Sequence, residues 1–125
     1  MPRKSERLLL ARALVNISMS ISRLRFLSEV MDRRILRHRE KGLEDIARDI
    51  EAKKKIVAKA LIELEAVSER LRTLIDLGIV SKDLTGIASI VKDIRIAVKD
   101  LQPEIAASLG EAISYIEEAL EEAHP

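Results

Sequence analysis

Without cysteine, the groups left to do chemistry are carboxylates, two histidines, hydroxyls and cations, and their spacing brings few of them together. A di-iron bundle needs two Glu-x-x-His pairs on separate helices, and the single match, Glu121 to His124, has no second copy. His38 falls in the register of an apolar seam beside a turn, which predicts a partly exposed capping role rather than ligation. The remaining Asp and Glu residues are spread along helical periods as solvated faces, so no pair of carboxylates is expected to converge for acid/base catalysis. No phosphate loop, dinucleotide fingerprint or nucleophile elbow occurs. Asn16-Ile17-Ser18 fits a glycosylation sequon but sits in the middle of an expected helix with no secretion signal before it. The sequence therefore predicts no catalytic residue, no metal, no cofactor and no enzyme.

Two basic groupings are the site-like features: Arg33, Arg34, Arg37, Arg39 and Lys41, and the run Lys53, Lys54 and Lys55. Their chemistry suits phosphate, on lipid headgroups or nucleic acid. Nucleic acid is disfavoured, because Phe26 and Tyr115 are the only aromatic residues and no recognition module is recognisable. The charge is strongly polarised. Residues 1–60 hold 16 Lys and Arg against 8 Asp and Glu, whereas residues 61–125 hold 6 against 13. From Leu101 on there is no Lys or Arg, and Glu117, Glu118, Glu121 and Glu122 crowd the end.

The elements that must position these charges are helices. Apolar residues recur at alternating steps of four and three from Leu10 through Leu14, Ile17, Ile21 and Leu24 to Met31 and Ile35. The same heptad pattern resumes after Gly42 from Leu43, Ile46 and Ile50 through Val57, Leu64 and Leu71 to Leu74. This predicts a long antiparallel hairpin of helices at about 5–38 and 43–77, turning at Gly42, with Ser5 as the first cap. Gly78 ends the second helix, and Ser81 or Asp83 can cap a third at about 84–101, with Ile87, Val91, Ile94 and Val98 on one face. Pro103 suits a first turn and opens a fourth helix at about 103–123. Gly86 and Gly110 interrupt the short helices and can mark close approach of another backbone. The expected fold is all-α and a single domain spanning 1–125. Arg12 cuts the leading apolar run far short of a signal peptide, and the longest uncharged window, 13–22, is half of the roughly 20 residues a membrane span needs.

The first helix is apolar on a second side as well, through Leu8, Val15, Met19, Phe26 and Val30. A two-helix hairpin buries only one face, so this row must meet a later helix, another subunit or lipid.

In order, spacing and charge polarity the chain resembles the core of the ESCRT-III superfamily, especially the archaeal cell-division CdvB-type members. The segments that carry the likeness are Ser22-Arg23-Leu24-Arg25-Phe26-Leu27-Ser28-Glu29, Lys53 to Arg72, Gly86-Ile87-Ala88-Ser89-Ile90-Val91-Lys92 and Leu101-Gln102-Pro103-Glu104-Ile105. The resemblance implies a cytoplasmic, peripheral, non-enzymatic subunit that assembles with itself or related subunits into filaments on an anionic membrane during division or budding. It also implies remodelling by a AAA ATPase that binds a C-terminal motif. Family members usually continue beyond the fourth helix to that motif and this sequence stops at Pro125, so the ATPase is an expected partner only where that motif exists.

On this reading Arg33, Arg34, Arg37, Arg39, Lys41 and Lys53 to Lys55 bind membrane, and the Leu8 to Val30 row mediates self-association. Packing of the short helices on that row, with Glu117, Glu118, Glu121 and Glu122 against the basic hairpin, would give an autoinhibited monomer. The alternative is a stand-alone helical-bundle adaptor or scaffold, natural or designed, with every apolar face satisfied internally and no membrane activity.

Overall fold

A computed structural model describes residues 4–78 and 82–123, and these form four helices. They are α1 (Lys4–Glu40), α2 (Glu44–Leu77), α3 (Lys82–Val98) and α4 (Pro103–Ala123). The turn after α1 is built on Gly42, at φ 75°. The Leu43 N–H reaches back to the His38 carbonyl at 2.8 Å and the Gly42 N–H to the Arg39 carbonyl at 3.0 Å, the paired bonds of a Schellman ending. Arg37 and Arg39 place positive charge at the negative end of the α1 dipole. Gly78, also left-handed at φ 68°, closes α2 by donating its N–H to the Leu74 carbonyl.

Three boundaries differ from the sequence reading, each for a local reason. Ser5 lies inside α1, and its hydroxyl donates to Glu122 across the bundle instead of capping its own helix. α3 ends at Val98 rather than Leu101. The Val98 carbonyl accepts from both Leu101 and Gln102 as the chain tightens ahead of Pro103, and Gln102 then takes the capping position of α4. Asp83 stands in the first turn of α3 rather than before it, and Ser81 lies outside the described residues.

α1 packs on α2 and α4, and α3 packs on α2 and α4, while the backbones of the diagonal pairs stay more than 8 Å apart, Cα to Cα, among the described residues. Cross-helix pairs run in opposite order along α1 and α2, Arg25 with Glu65 and then Asp32 with Lys54, so the two helices are antiparallel. The Ser5 to Glu122 and Asn16 to Glu111 contacts set α4 antiparallel to α1 in the same way. The core is one column of aliphatic side chains, with Leu10, Ile17, Leu64, Leu71, Ile87 and Ile116 at its centre.

The helices are unequal in length, and that shapes the molecule. The 37 residues of α1 span roughly 55 Å at 1.5 Å per residue, against roughly 25 Å for the 17 of α3. Four helices surround the first half of α1 and the second half of α2; past about Leu27 only the α1–α2 pair continues, held by Met31, Ile35, Ala47, Ile50 and Val57. In that stretch the buried seam of α2 departs from the sequence reading: Ala47 is buried, while Leu43 and Ile46 are exposed. Neither short-helix glycine meets another backbone. Gly110 faces the Arg95 side chain, and a Cβ on Gly86 would meet open space.

Candidate interaction surfaces

The free end of the hairpin carries the basic residues. Arg39 is paired with Glu44 at 3.3 Å and with Glu51, and the hydrogen bond to Glu51 holds its guanidinium above its usual pKa. Lys53 pairs with Asp49 at 3.1 Å and Lys54 with Asp32 on α1. These three cations are already neutralised within the hairpin. Arg33, Arg34, Arg37, Lys41 and Lys55 are exposed and have no carboxylate partner among the described residues. Between them Leu36, Leu43, Ile46 and Ile56 are also exposed, a feature the heptad reading missed because it assigned Leu43 and Ile46 to the seam. Ala47, three residues before Ile50, was the signal that could have corrected it. His38 is half-buried; its carbonyl serves the turn, while its Nδ1 is buried without a hydrogen-bond partner.

The second apolar row of α1 stays open. Leu8, Val15, Met19 and Phe26 are 52, 57, 45 and 64% exposed, and Val30 is half-buried. The expectation that the short helices cover this row is therefore corrected. α3 lies diagonally across from α1, and α4 takes a different face, the one carrying Leu9, Ala13, Asn16 and Ser20. The contact has a polar centre. Asn16 Nδ2 donates to the Ser108 carbonyl at 3.2 Å and to Glu111 at 3.0 Å, while the Ser108 hydroxyl donates back to the Asn16 carbonyl at 3.4 Å. Asn16 entered the sequence reading only as a discarded sequon. Its place beside buried Ala13 and Ser20 was a legible sign of a second buried face.

The acidic end does not meet the basic hairpin. Glu117 pairs with Lys92 of α3 at 2.8 Å, and Glu122 accepts from Ser5 at 2.7 Å. Glu118 and Glu121 are exposed and without an ion pair among the described residues. Antiparallel packing sets these residues beside Ser5, and Arg33 stands 28 residues further along α1, roughly 40 Å away by helical rise. That exceeds the screening length of about 8 Å at physiological ionic strength several times over, so the expected pairing of the two charge clusters is not made.

Between α1 and α2, on the side away from α3 and α4, runs a shallow polar groove of about 420 Å³ edged by Ser18, Ser22, Arg25 and Glu65. Its cations and carboxylates pair with each other, Arg25 with Glu65 at 2.6 Å and Arg72 with Glu69 at 3.4 Å, so it presents little net charge. Among the described residues no group of His, Asp and Glu could hold a metal ion, and no helix is long and apolar enough to cross a membrane. What the surface can do is dock: a basic, partly apolar hairpin end and an open apolar row on α1. No family model matches the chain, and no curated protein or solved structure matches it either.

Proposed function

We propose that this chain is a non-enzymatic subunit of a membrane-remodelling filament, acting peripherally on the cytoplasmic face of an anionic membrane, as its resemblance to the ESCRT-III core implies. The observation that carries the reading is the hairpin end beyond the bundle, where five unpaired cations surround exposed Leu36, Leu43, Ile46 and Ile56. Basic residues near an anionic surface contribute about 1 kcal/mol each, and apolar side chains seated at the headgroup boundary add to that. The open row on α1 supplies the other requirement, a surface for a neighbouring subunit. A AAA ATPase is a partner only where the family's C-terminal motif is present.

Liposome co-sedimentation with electron microscopy tests the proposal. Protein should pellet with anionic vesicles, less so at high salt, and form filaments on them. Arg33, Arg34, Arg37 and Lys41 changed together to Glu should abolish binding. Equal binding to neutral and anionic vesicles would count against membrane recognition by charge.

The adaptor reading keeps one specific support, the burial of a full apolar face of every helix within one closed bundle. Light scattering that stays monomeric from micromolar to near-millimolar protein, with and without acidic liposomes, would decide in its favour.

A further inference from the structure

Two outward-facing rows of this molecule are complementary in size and charge. On α1, Leu8, Arg12, Val15, Met19, Arg23 and Phe26 follow steps of three and four and are all exposed. Large apolar side chains there are interleaved with guanidinium groups. On α4, Glu104, Ala107, Glu111, Ser114, Glu118 and Glu121 also follow steps of three and four and are all exposed. Carboxylates there are interleaved with small residues.

We infer that these rows are the two halves of one contact between copies, the α1 row of one molecule receiving the α4 row of a second in antiparallel register. The inference rests on the self-assembly reading above and specifies its surfaces. Antiparallel helices share one rise, so a single choice of register fixes the rest. Setting Met19 over Ser114 sets Phe26 over Ala107, Arg12 opposite Glu121 and Arg23 beside Glu111. Met19 and Phe26 then sit over small residues and Arg12 faces a carboxylate, while Val15 lies beside Glu118 and Leu8 passes the end of α4. Sliding one heptad either way spoils the match: in one direction Met19 lies over Glu121 and Arg12 runs past the end of the helix, and in the other Phe26 overshoots Pro103. The charges are free for this use. Arg23, Glu104, Glu118 and Glu121 have no ion pair among the described residues, Arg12 lies over the Tyr115 ring, 6.0 Å from its centroid, and Glu111 accepts only from the Asn16 amide.

The complementarity also selects the occupant. Two α1 rows facing each other would gather four guanidinium groups with no carboxylate in either row, whereas an α4 row supplies carboxylates to an α1 row. Because the two rows differ, each contact leaves one row open on each copy, and the arrangement propagates unless it closes into a ring.

The absence of cysteine makes the chain a clean background for a test. Equimolar Met19→Cys and Ser114→Cys variants, mixed and oxidised, should give a disulfide-linked heterodimer, while Met19→Cys mixed with Ile96→Cys should not. Linkage of Met19→Cys only to itself, or of neither pair, would overturn the proposal. Separately, Arg12→Glu and Glu121→Arg, the two sides of one pair in this register, should each weaken self-association at least threefold in sedimentation velocity while leaving circular dichroism unchanged. Mixing the two variants should restore it, because each then presents the row the other lacks. Self-association that persists through both reversals would overturn this contact and leave the filament reading standing. A wild-type chain that stays monomeric to near-millimolar concentration would overturn both. Loss of vesicle binding on the α1 reversal, with lipid-free self-association unchanged, would assign the row to lipid instead.

Discussion

The two ends of the long hairpin are built from the same heptad pattern and reach different degrees of enclosure. Near the termini α1 and α2 each have two helical neighbours, and Ile17, Leu64 and Leu71 are fully shielded from water. At the turn each has only the other, and although Ala47 and Val57 are fully shielded, the larger Met31, Ile35 and Ile50 keep 7 to 9% of their surface. A sequence period fixes which side of a helix is apolar, and the number of neighbours fixes how much that side is worth. The terminal half is therefore the structural anchor. The turn half has less buried apolar area per residue and should open locally at lower free energy. It is also the half that holds the unpaired cations and the surface-exposed Leu36 and Ile46, so the least anchored region is the one best equipped to adapt to another surface.

Core truncation should separate the halves most strongly. Leu64→Ala, in the four-helix region, is expected to cost about 2–5 kcal/mol, the range for a fully enclosed leucine. Ile35→Ala, where the cavity opens toward solvent and can collapse, should fall at or below the low end of that range. Urea titration followed by circular dichroism measures both. Equal costs would mean that the turn half is as tightly enclosed as the bundle. Hydrogen exchange offers an independent check, with amides between about residues 30 and 56 expected to exchange ahead of those around Leu64 and Ile113.

Two glycines sharpen the same contrast through the backbone. A Cβ on Gly42 or on Gly86 meets no atom within 4 Å, so packing does not distinguish them. Gly42 has φ 75°, however, and an L-residue there costs about 1–2 kcal/mol. Gly86 is an exposed helical position, and alanine there should stabilise by about 0.5–1 kcal/mol. Opposite signs in thermal melts of Gly42→Ala and Gly86→Ala are the expected result.

Between these effects and the smallest stands the polar centre of the α1–α4 contact. Asn16→Ala removes the donor to Ser108 and Glu111, and one partly buried side-chain hydrogen bond is worth about 1 kcal/mol. A loss near that size, with no change at the hairpin turn by hydrogen exchange, would place the contribution of Asn16 in the bundle alone.

Much of this architecture was legible in the chain. The four helices, the Gly42 turn and the Gly78 stop follow from period and capping chemistry, because both are local. What the sequence concealed was which helix covers which face. The Leu8 to Phe26 row is the larger apolar surface, yet α4 chose the side with Ala13, Asn16 and Ser20, where small residues permit close approach and Asn16 bonds the facing backbone. Bulk and hydropathy rank the first side higher; backbone proximity favours the second, and a one-dimensional pattern does not report it. The charge clusters misled in a similar way. Basic and acidic halves of a sequence invite pairing, but antiparallel packing sent the acidic end of α4 toward Ser5 and left the cations at the other end of α1.

The smallest expected effect concerns the ion pairs that cross between α1 and α2, one in each half. Arg25 meets Glu65 at 2.6 Å near the bundle, and Asp32 meets Lys54 in the free hairpin. If the loosely packed half relied on charge to hold its helices together, its pair would show the larger coupling. Exposure argues otherwise, since every one of these side chains keeps a third or more of its surface in water, 61 and 49% for Arg25 and Glu65, 53 and 35% for Asp32 and Lys54. Pairs so exposed are typically worth 0–1 kcal/mol, because solvent screens the attraction and ordering two long side chains offsets part of it. Double-mutant cycles with Arg25→Ala and Glu65→Ala, and with Asp32→Ala and Lys54→Ala, should therefore give similar couplings below about 1 kcal/mol that shrink further in high salt. A coupling above about 2 kcal/mol at Asp32 and Lys54 alone would show that charge, rather than the narrow apolar seam, holds the free hairpin closed, and the contrast drawn from burial would then have to be revised.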